Sequence, residues 1–144
     1  MWGRGNKAKA IARRFVTALN AHDADGLEAL MSEDFAYIDS WREGVVGRDK
    51  VIAAVRGLFA VDPVFGVEVE RMSYREPHVL MSGLITSKQF GEGRRAVWRA
   101  KCDGDRLSEW QSWAEGGPPP MSRALAPGEA RDLSDRATDK PENI

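Results

Sequence analysis

Ahead of Pro63 the apolar residues of this chain recur with a helical period, and from Gly66 onward they recur every second position. That single switch restricts the folds open to it. Ile11, Phe15 and Leu19 fall four apart, with Ala8, Ala12 and Val16 beside them, which gives a first helix one apolar stripe. Asn20-Ala21-His22-Asp23 ends that helix. Asp23 is then suited to N-cap a short second helix carrying Leu27, Leu30 and Met31, because its carboxylate accepts first-turn N–H groups that have no helical partner. Phe35 to Asp39 reads as a strand, rich in aromatic and branched side chains. Trp41-Arg42-Glu43-Gly44 reads as an exposed connection. A third helix starts near Gly47, with Val51, Ile52, Val55, Leu58 and Phe59 on its buried face.

Beyond the switch, Val67 and Val69 alternate with Glu68 and Glu70. A longer strand is expected from His78 to about Phe90, with Gly91-Glu92-Gly93 turning the chain. Arg94 to Cys102 returns, and Asp103-Gly104 makes a tight turn into a last strand from Arg106 to Ala114. Helices succeeded by an unbroken antiparallel run make an α+β domain, not a parallel βαβ sheet.

The 144 residues suffice for one domain with a true core. A formal net charge of -1 leaves no basic field to gather phosphates, so neither nucleic acid nor an anionic membrane is an expected partner. Cys102 is the single cysteine and cannot close an intramolecular disulfide. The opening Met1-Trp2-Gly3-Arg4 lacks the apolar run of a signal peptide, and no stretch has membrane-spanning length. A soluble, cytoplasmic protein is expected. From Gly116 the composition shifts. Pro118-Pro119-Pro120 stops the sheet, and the residues beyond it are rich in Asp, Arg, Glu, Pro and Ala. The division is therefore a domain over 1–116 and a Pro-rich, flexible tail over 117–144. Met121, Leu125 and Leu133 are the large apolar residues through which that tail would dock as a short helix, on its own domain or on a partner chain.

Three blocks carry a resemblance to a known superfamily. The run from Arg14 to Leu27, which includes Asn20-Ala21-His22-Asp23, resembles the opening of steroid Δ-isomerases and SnoaL-like polyketide cyclases. Leu30 to Asp39 resembles their passage from helix to first strand, and Gly47-Arg48-Asp49-Lys50-Val51-Ile52 resembles the start of their third helix. The resemblance is to the nuclear transport factor 2-like superfamily and covers roughly residues 8 to 115. It implies a cystatin-like, cone-shaped fold: a strongly bent antiparallel sheet wrapped around N-terminal helices, with a cavity between them. It also implies a homodimer through the open face of the sheet, and a small apolar molecule as partner. Activity is not implied to the same degree, because one scaffold hosts enzymes, binders and assembly domains.

The same resemblance places the general base of steroid isomerases on Asp39. Strand alternation puts Phe35, Tyr37 and Asp39 on one face, so a core-facing Phe35 brings Asp39 to the cavity. A carboxylate on an apolar wall has its charged form disfavoured, which suits it to proton transfer. Tyr37 would donate a hydrogen bond to Asp39 or to a ligand. A second reading stands beside this one: Asp39 ends the strand as a turn residue, or pairs with Arg42 or Arg99. Steroid isomerase joins its Asp base to a tyrosine and a neutral Asp as oxyanion donors. Here Phe15 occupies the tyrosine position and cannot donate, and Trp98 stands near that of the acid. Epoxide hydrolases of the superfamily use a Tyr and an Asn two apart, plus an Asp-Arg-Asp set. Tyr37 and Asp39 fit the first pair with Asp for Asn, whereas Arg99 has Lys101 where an acid is needed.

The last strands are rich in tryptophan. Trp110 and Ser112 share a face that the resemblance turns toward the cavity, and Trp98 lies on the neighbouring strand. With Phe15 and Phe59 they are the candidate ligand contacts, suited to flat apolar molecules. Trp41 is a candidate cap on the mouth, or else an exposed turn residue. His22 and His78 read as a loop and a strand-start histidine. Together with Cys102 they have no metal-ligand spacing, so neither metal nor cofactor is expected. Three functions are open to such a chain: proton transfer in an apolar ketone or polyketide, with Asp39 and Tyr37 as catalytic residues; ligand binding without chemistry; or dimeric assembly.

Overall fold

The computed structural model describes residues 3–88 and 91–142. Helix α1 (Arg4–Asn20) buries Ile11, Ala12, Phe15 and Leu19, the stripe read from spacing. Its end is closed by His22, whose φ of 54° is left-handed, while the Asp23 N–H reaches back to the Ala18 carbonyl at 2.9 Å. The His22 ring stacks on Phe59 with centroids 4.2 Å apart, and its Nε2 lies 2.7 Å from the Phe65 carbonyl. This residue, read as a loop histidine, clamps the end of α1 against Phe59 and the Phe65 carbonyl. Asp23 Oδ1 accepts the Gly26 N–H at 2.9 Å and caps α2 (Ala24–Ala29).

Strand β1 (Met31–Ile38) begins earlier than the pattern predicts, taking Met31 from helix to sheet. Strand β2 (Glu43–Val46) forms where an exposed connection is expected. Gly44 permits this pairing, because a Cβ there would lie 2.0 Å from the Tyr37 carbonyl oxygen. Helix α3 (Arg48–Val61) comes next. Asp62, just past its end, accepts the Lys88 N–H at 3.0 Å and the Ser87 hydroxyl, tying the helix to the end of the strand ladder. Strands β3 (Gly66–Arg75), β4 (His78–Ser87), β5 (Gly91–Asp103) and β6 (Arg106–Ala114) form the antiparallel run. Phe90 lies outside the described residues, and β5 already starts at Gly91, where a turn is predicted. Gly104, with φ of 64°, makes the tight turn between β5 and β6. A two-residue strand, β7 (Arg131–Asp132), comes last.

The sheet order is β3-β4-β5-β6-β1-β2-β7, antiparallel except for the parallel pair β1 and β6. Register shifts put extra residues into β3, β5 and β6 and mark bulges, which bend and twist a strand. Gly83 faces the bulge in β3, and a Cβ there would lie 1.8 Å from the Glu68 carbonyl oxygen. The curled, unclosed sheet holds α1 against its inner face. Asn20 anchors that helix by behaving as one more peptide unit: its Oδ1 accepts the Val67 N–H at 2.8 Å and its Nδ2 donates to the Val67 carbonyl at 2.9 Å. The fold is the expected α+β class.

The segment after 116 carries two further elements. Helix α4 (Met121–Leu125) and β7 lie on the domain, with β7 paired to β2. Leu133 supplies the physical reason. It is only 3% exposed and fills the space that a side chain at Gly44 would occupy. Further on, Thr138 gives its backbone N–H to Gln111 Oε1 at 3.2 Å and takes the Gln111 amide N–H on its carbonyl at 3.1 Å. The outer face of β5 and β6, with Arg99, Glu109 and Gln111, is thereby partly covered. Arg99 and Glu109 form a buried ion pair at 2.6 Å. No helix among the described residues is long and apolar enough to cross a membrane.

Candidate functional site

A cavity of about 130 Å³ lies between the helices and the concave face of the sheet. Alternation along the strands delivers its walls. Phe35 and Tyr37 point inward from β1, Trp98 from β5, and Trp110 and Ser112 from β6. Phe15 of α1 stacks against Trp110 with ring centroids 4.7 Å apart and against Phe35 at 6.0 Å. Trp98 and Trp110 stand 6.5 Å apart and tilted. Four aromatic rings therefore form one continuous wall. Val51, Val55 and Leu58 of α3 close the facing side, and Pro118, Met121 and Leu125 of the C-terminal segment complete it.

Polar groups are few. The Tyr37 hydroxyl lies 3.4 Å from Ser112 Oγ, a long contact that leaves the phenol O–H free to serve another acceptor. Burial pushes Tyr37 well above the ordinary phenol range, a shift that the Ser112 contact opposes and the nearby Asp39 charge reinforces. Tyr37 is thus a neutral donor throughout the physiological range. Ser40 also lines the cavity, but its hydroxyl is occupied: it accepts the Ala114 N–H at 3.0 Å and donates to the Ser112 carbonyl at 3.3 Å.

Asp39 is buried to 1% exposure yet is not one of the cavity's lining residues. The chain turns immediately after Ile38, and the carboxylate turns with it. Oδ1 accepts the N–H groups of Trp41 at 2.9 Å and Glu43 at 3.2 Å, while Oδ2 accepts that of Ser122 at 2.9 Å. Strand alternation does not extend to a residue already inside the turn, which is why the shared face with Phe35 and Tyr37 stops at Tyr37. The alternative pairings with Arg42 and Arg99 do not form either: Arg42 meets Asp139, and Arg99 meets Glu109.

Of the candidate contacts, Phe15, Trp98, Trp110 and Ser112 line the cavity together with Tyr37. Phe59 does not, because its ring is taken by His22. Trp41 does not cap the mouth. It is 56% exposed, and its indole N–H donates to the Pro118 carbonyl at 2.7 Å. Sequence reasoning missed the contribution of Pro118, Met121 and Leu125 to the wall. The spacing of Met121 and Leu125, one helical turn apart, was the signal that could have found it. His78 is half-buried, and burial, aided by the Arg99 charge, pushes its pKa down. Among the described residues no cluster of His, Cys, Asp and Glu is placed to hold a metal.

A sequence model of the SnoaL-like domain matches residues 12–110, which takes in the second half of α1, the aromatic wall and the sheet as far as Trp110 in β6. The chain belongs to the SnoaL-like family. Solved structures similar to this SnoaL-like chain carry the same fold. An epoxide hydrolase of the LEH-like type from M. tuberculosis is 17% identical, with a TM-score of 0.70 over 88% of this chain and 94% of that one. A candidate SnoaL-like polyketide cyclase from Jannaschia sp. CCS1 is 16% identical, with a TM-score of 0.69 over 80% and 90%. A cystatin-fold protein from Novosphingobium aromaticivorans is 22% identical, with a TM-score of 0.64 over 73% and 96%. No curated protein sequence matches significantly.

Proposed function

We propose that this SnoaL-like chain binds a compact apolar molecule, flat and about the size of one aromatic ring, that offers a single oxygen acceptor to Tyr37. The carrying observation is the cavity itself: about 130 Å³, walled by Phe15, Phe35, Trp98 and Trp110, with the neutral Tyr37 hydroxyl as its free donor. An engineered apolar cavity of ~150 Å³ takes benzene, so the volume class suits a monocyclic occupant and excludes a four-ring steroid from this conformation. Small ketones, phenols and cyclic ethers have the required shape and acceptor.

A catalytic reading, in which Asp39 acts as acid or base on an apolar ketone or polyketide with Tyr37 assisting, draws support from the burial of that carboxylate beside the cavity residue Ser40. Against it stand the backbone N–H groups that occupy both carboxylate oxygens. A developing oxyanion would also want a second donor beside Tyr37; of the described cavity residues, the Ser40 hydroxyl is already committed and Arg94 gives an N–H to the Glu115 carbonyl at 3.0 Å. The epoxide-hydrolase arrangement has less support, because Arg99 points to the outer face with Glu109.

Tryptophan fluorescence titration with cyclohexanone, phenol and benzene tests the proposal, since Trp98 and Trp110 lie in the wall. Tyr37→Phe is expected to weaken cyclohexanone by about five-fold, the value of one hydrogen bond, and to leave benzene unchanged. Failure of all three compounds to bind would remove the proposal. Turnover of a ketone that is lost in Asp39→Asn, with the fold intact, would favour the catalytic reading.

A further inference from the structure

The wall supplied by Pro118, Met121 and Leu125 differs in construction from the rest of the cavity. The other walls belong to the sheet and to α1 and α3, where long ladders and buried side chains hold them. Helix α4 has five residues, and Ser122 is its buried residue; Met121 and Leu125 are half-buried. It is joined to β6 through Gly116 and Gly117, both at positive φ, 82° and 64°. Two successive glycines in that region form a connection in which rotation meets no Cβ barrier. A short element with little buried apolar area on such a connection opens at low cost compared with the core.

Its polar attachment is concentrated at one turn. The Asp39 carboxylate, fixed by the N–H groups of Trp41 and Glu43, accepts the Ser122 N–H at 2.9 Å in a buried bond. The Ser122 hydroxyl donates to the Glu43 carbonyl at 3.2 Å, and Arg123 Nε lies 2.7 Å from both Glu43 carboxylate oxygens. The Trp41 indole holds the Pro118 carbonyl. Hinge, latch and wall therefore lie in one short stretch.

We infer that Pro118–Leu125 is a movable wall, latched to the β1–β2 turn by Asp39 and Glu43, whose docked position limits the size of the molecule the cavity takes. This rests on the binding reading above. It gives Asp39 a positioning role: the carboxylate holds the segment and does not touch the ligand. With the segment docked, Met121 and Leu125 confine the occupant to one ring. With it released, the cavity extends past them and admits a bicyclic molecule.

Two measurements on the full chain test this. Hydrogen exchange should show the amides of 121–126 exchanging at least about tenfold faster in Asp39→Asn and in Arg123→Ala, while β4 and β5 keep their wild-type rates. Unchanged exchange of 121–126 in both variants would overturn the latch, with no ligand involved. In the second measurement, binding of benzene and of naphthalene is compared in wild type and in the Met121→Ala/Leu125→Ala double variant. The preference should move toward naphthalene by at least about tenfold. If benzene binds the wild type and the preference does not move, the size-limiting role is wrong and the binding reading stands. If neither hydrocarbon binds either protein, the size-limiting role is wrong, and the binding reading falls with it only if cyclohexanone and phenol fail as well.

Discussion

Asp39 and Ser122, 83 positions apart in the chain, meet in a buried hydrogen bond of 2.9 Å from the serine N–H to the carboxylate. The acid that resemblance assigns to proton chemistry is thereby the link between the first hairpin and the C-terminal segment. Its role in stability can be measured apart from any activity. Asp39→Ala leaves three backbone N–H groups without an acceptor, and the loss should be on the order of 3 kcal/mol. Urea unfolding monitored by tryptophan emission reads this as a lower midpoint at constant slope. A loss below about 0.5 kcal/mol, the level of an ordinary surface change, would contradict the structural role.

Arg99 and Glu109 make a second testable pair, on the opposite face of the sheet. Their side chains are 10% and 5% exposed, and the Arg99 Nε has no hydrogen-bond partner among the described residues. Glu109→Ala strands a buried guanidinium and should cost about 3–5 kcal/mol, whereas replacing both residues by methionine should come within about 1 kcal/mol of wild type. Chemical denaturation of the single and double variants distinguishes these outcomes.

Phe15 holds the aromatic wall together through its stack on Trp110. Phe15→Ala should destabilise by about 3–5 kcal/mol, since the ring is buried between α1 and the sheet. The near-ultraviolet circular dichroism of the tryptophans should weaken at the same time. Full retention of that signal would mean that Trp110 is oriented by something other than Phe15.

The pH response rests on Tyr37 and Tyr74, the two tyrosines of the chain. Both are raised above the ordinary phenol value of 10, in each case chiefly by burial. A raised folded pKa means the unfolded chain releases its phenol proton first. The tyrosine contribution to stability is therefore constant below pH 10 and falls as the pH climbs from 10 toward the folded values. Phenolate absorbance should lag behind that of free tyrosine, and the Tyr37 step should coincide with unfolding. In Tyr37→Phe the alkaline loss of stability should shrink. A native-state Tyr37 that ionises at pH 10 would show its environment to be wet.

Local chemistry made much of the fold legible. The spacing of Ile11, Phe15 and Leu19, the capping carboxylate of Asp23 and the Asp103-Gly104 turn each act within a few residues, and each predicts the element found. Elements that depend on distant partners were not legible. Strand β2 is four residues long and rests on Gly44 accommodating both Tyr37 and Leu133, a coincidence of space that no period records. Phe59 lies on the predicted face of α3, yet its ring goes to His22 at the end of another helix. Among the site residues, those on strands were found by alternation, because Tyr37, Trp98, Trp110 and Ser112 obey it. Asp39 escaped because it lies one residue past the strand, with its third donor near the far end of the chain.

The region shared with the SnoaL-like family ends at residue 110, and helix α4 begins at Met121. On the proposal above, scaffold and size limit lie in separate stretches of sequence. A chain ended after Ala114 would retain the residues of α1 to α3 and of β1 to β6 while losing the segment proposed to tell one guest from another. Substitutions in α4 would then retune the guest while the inherited framework is left alone.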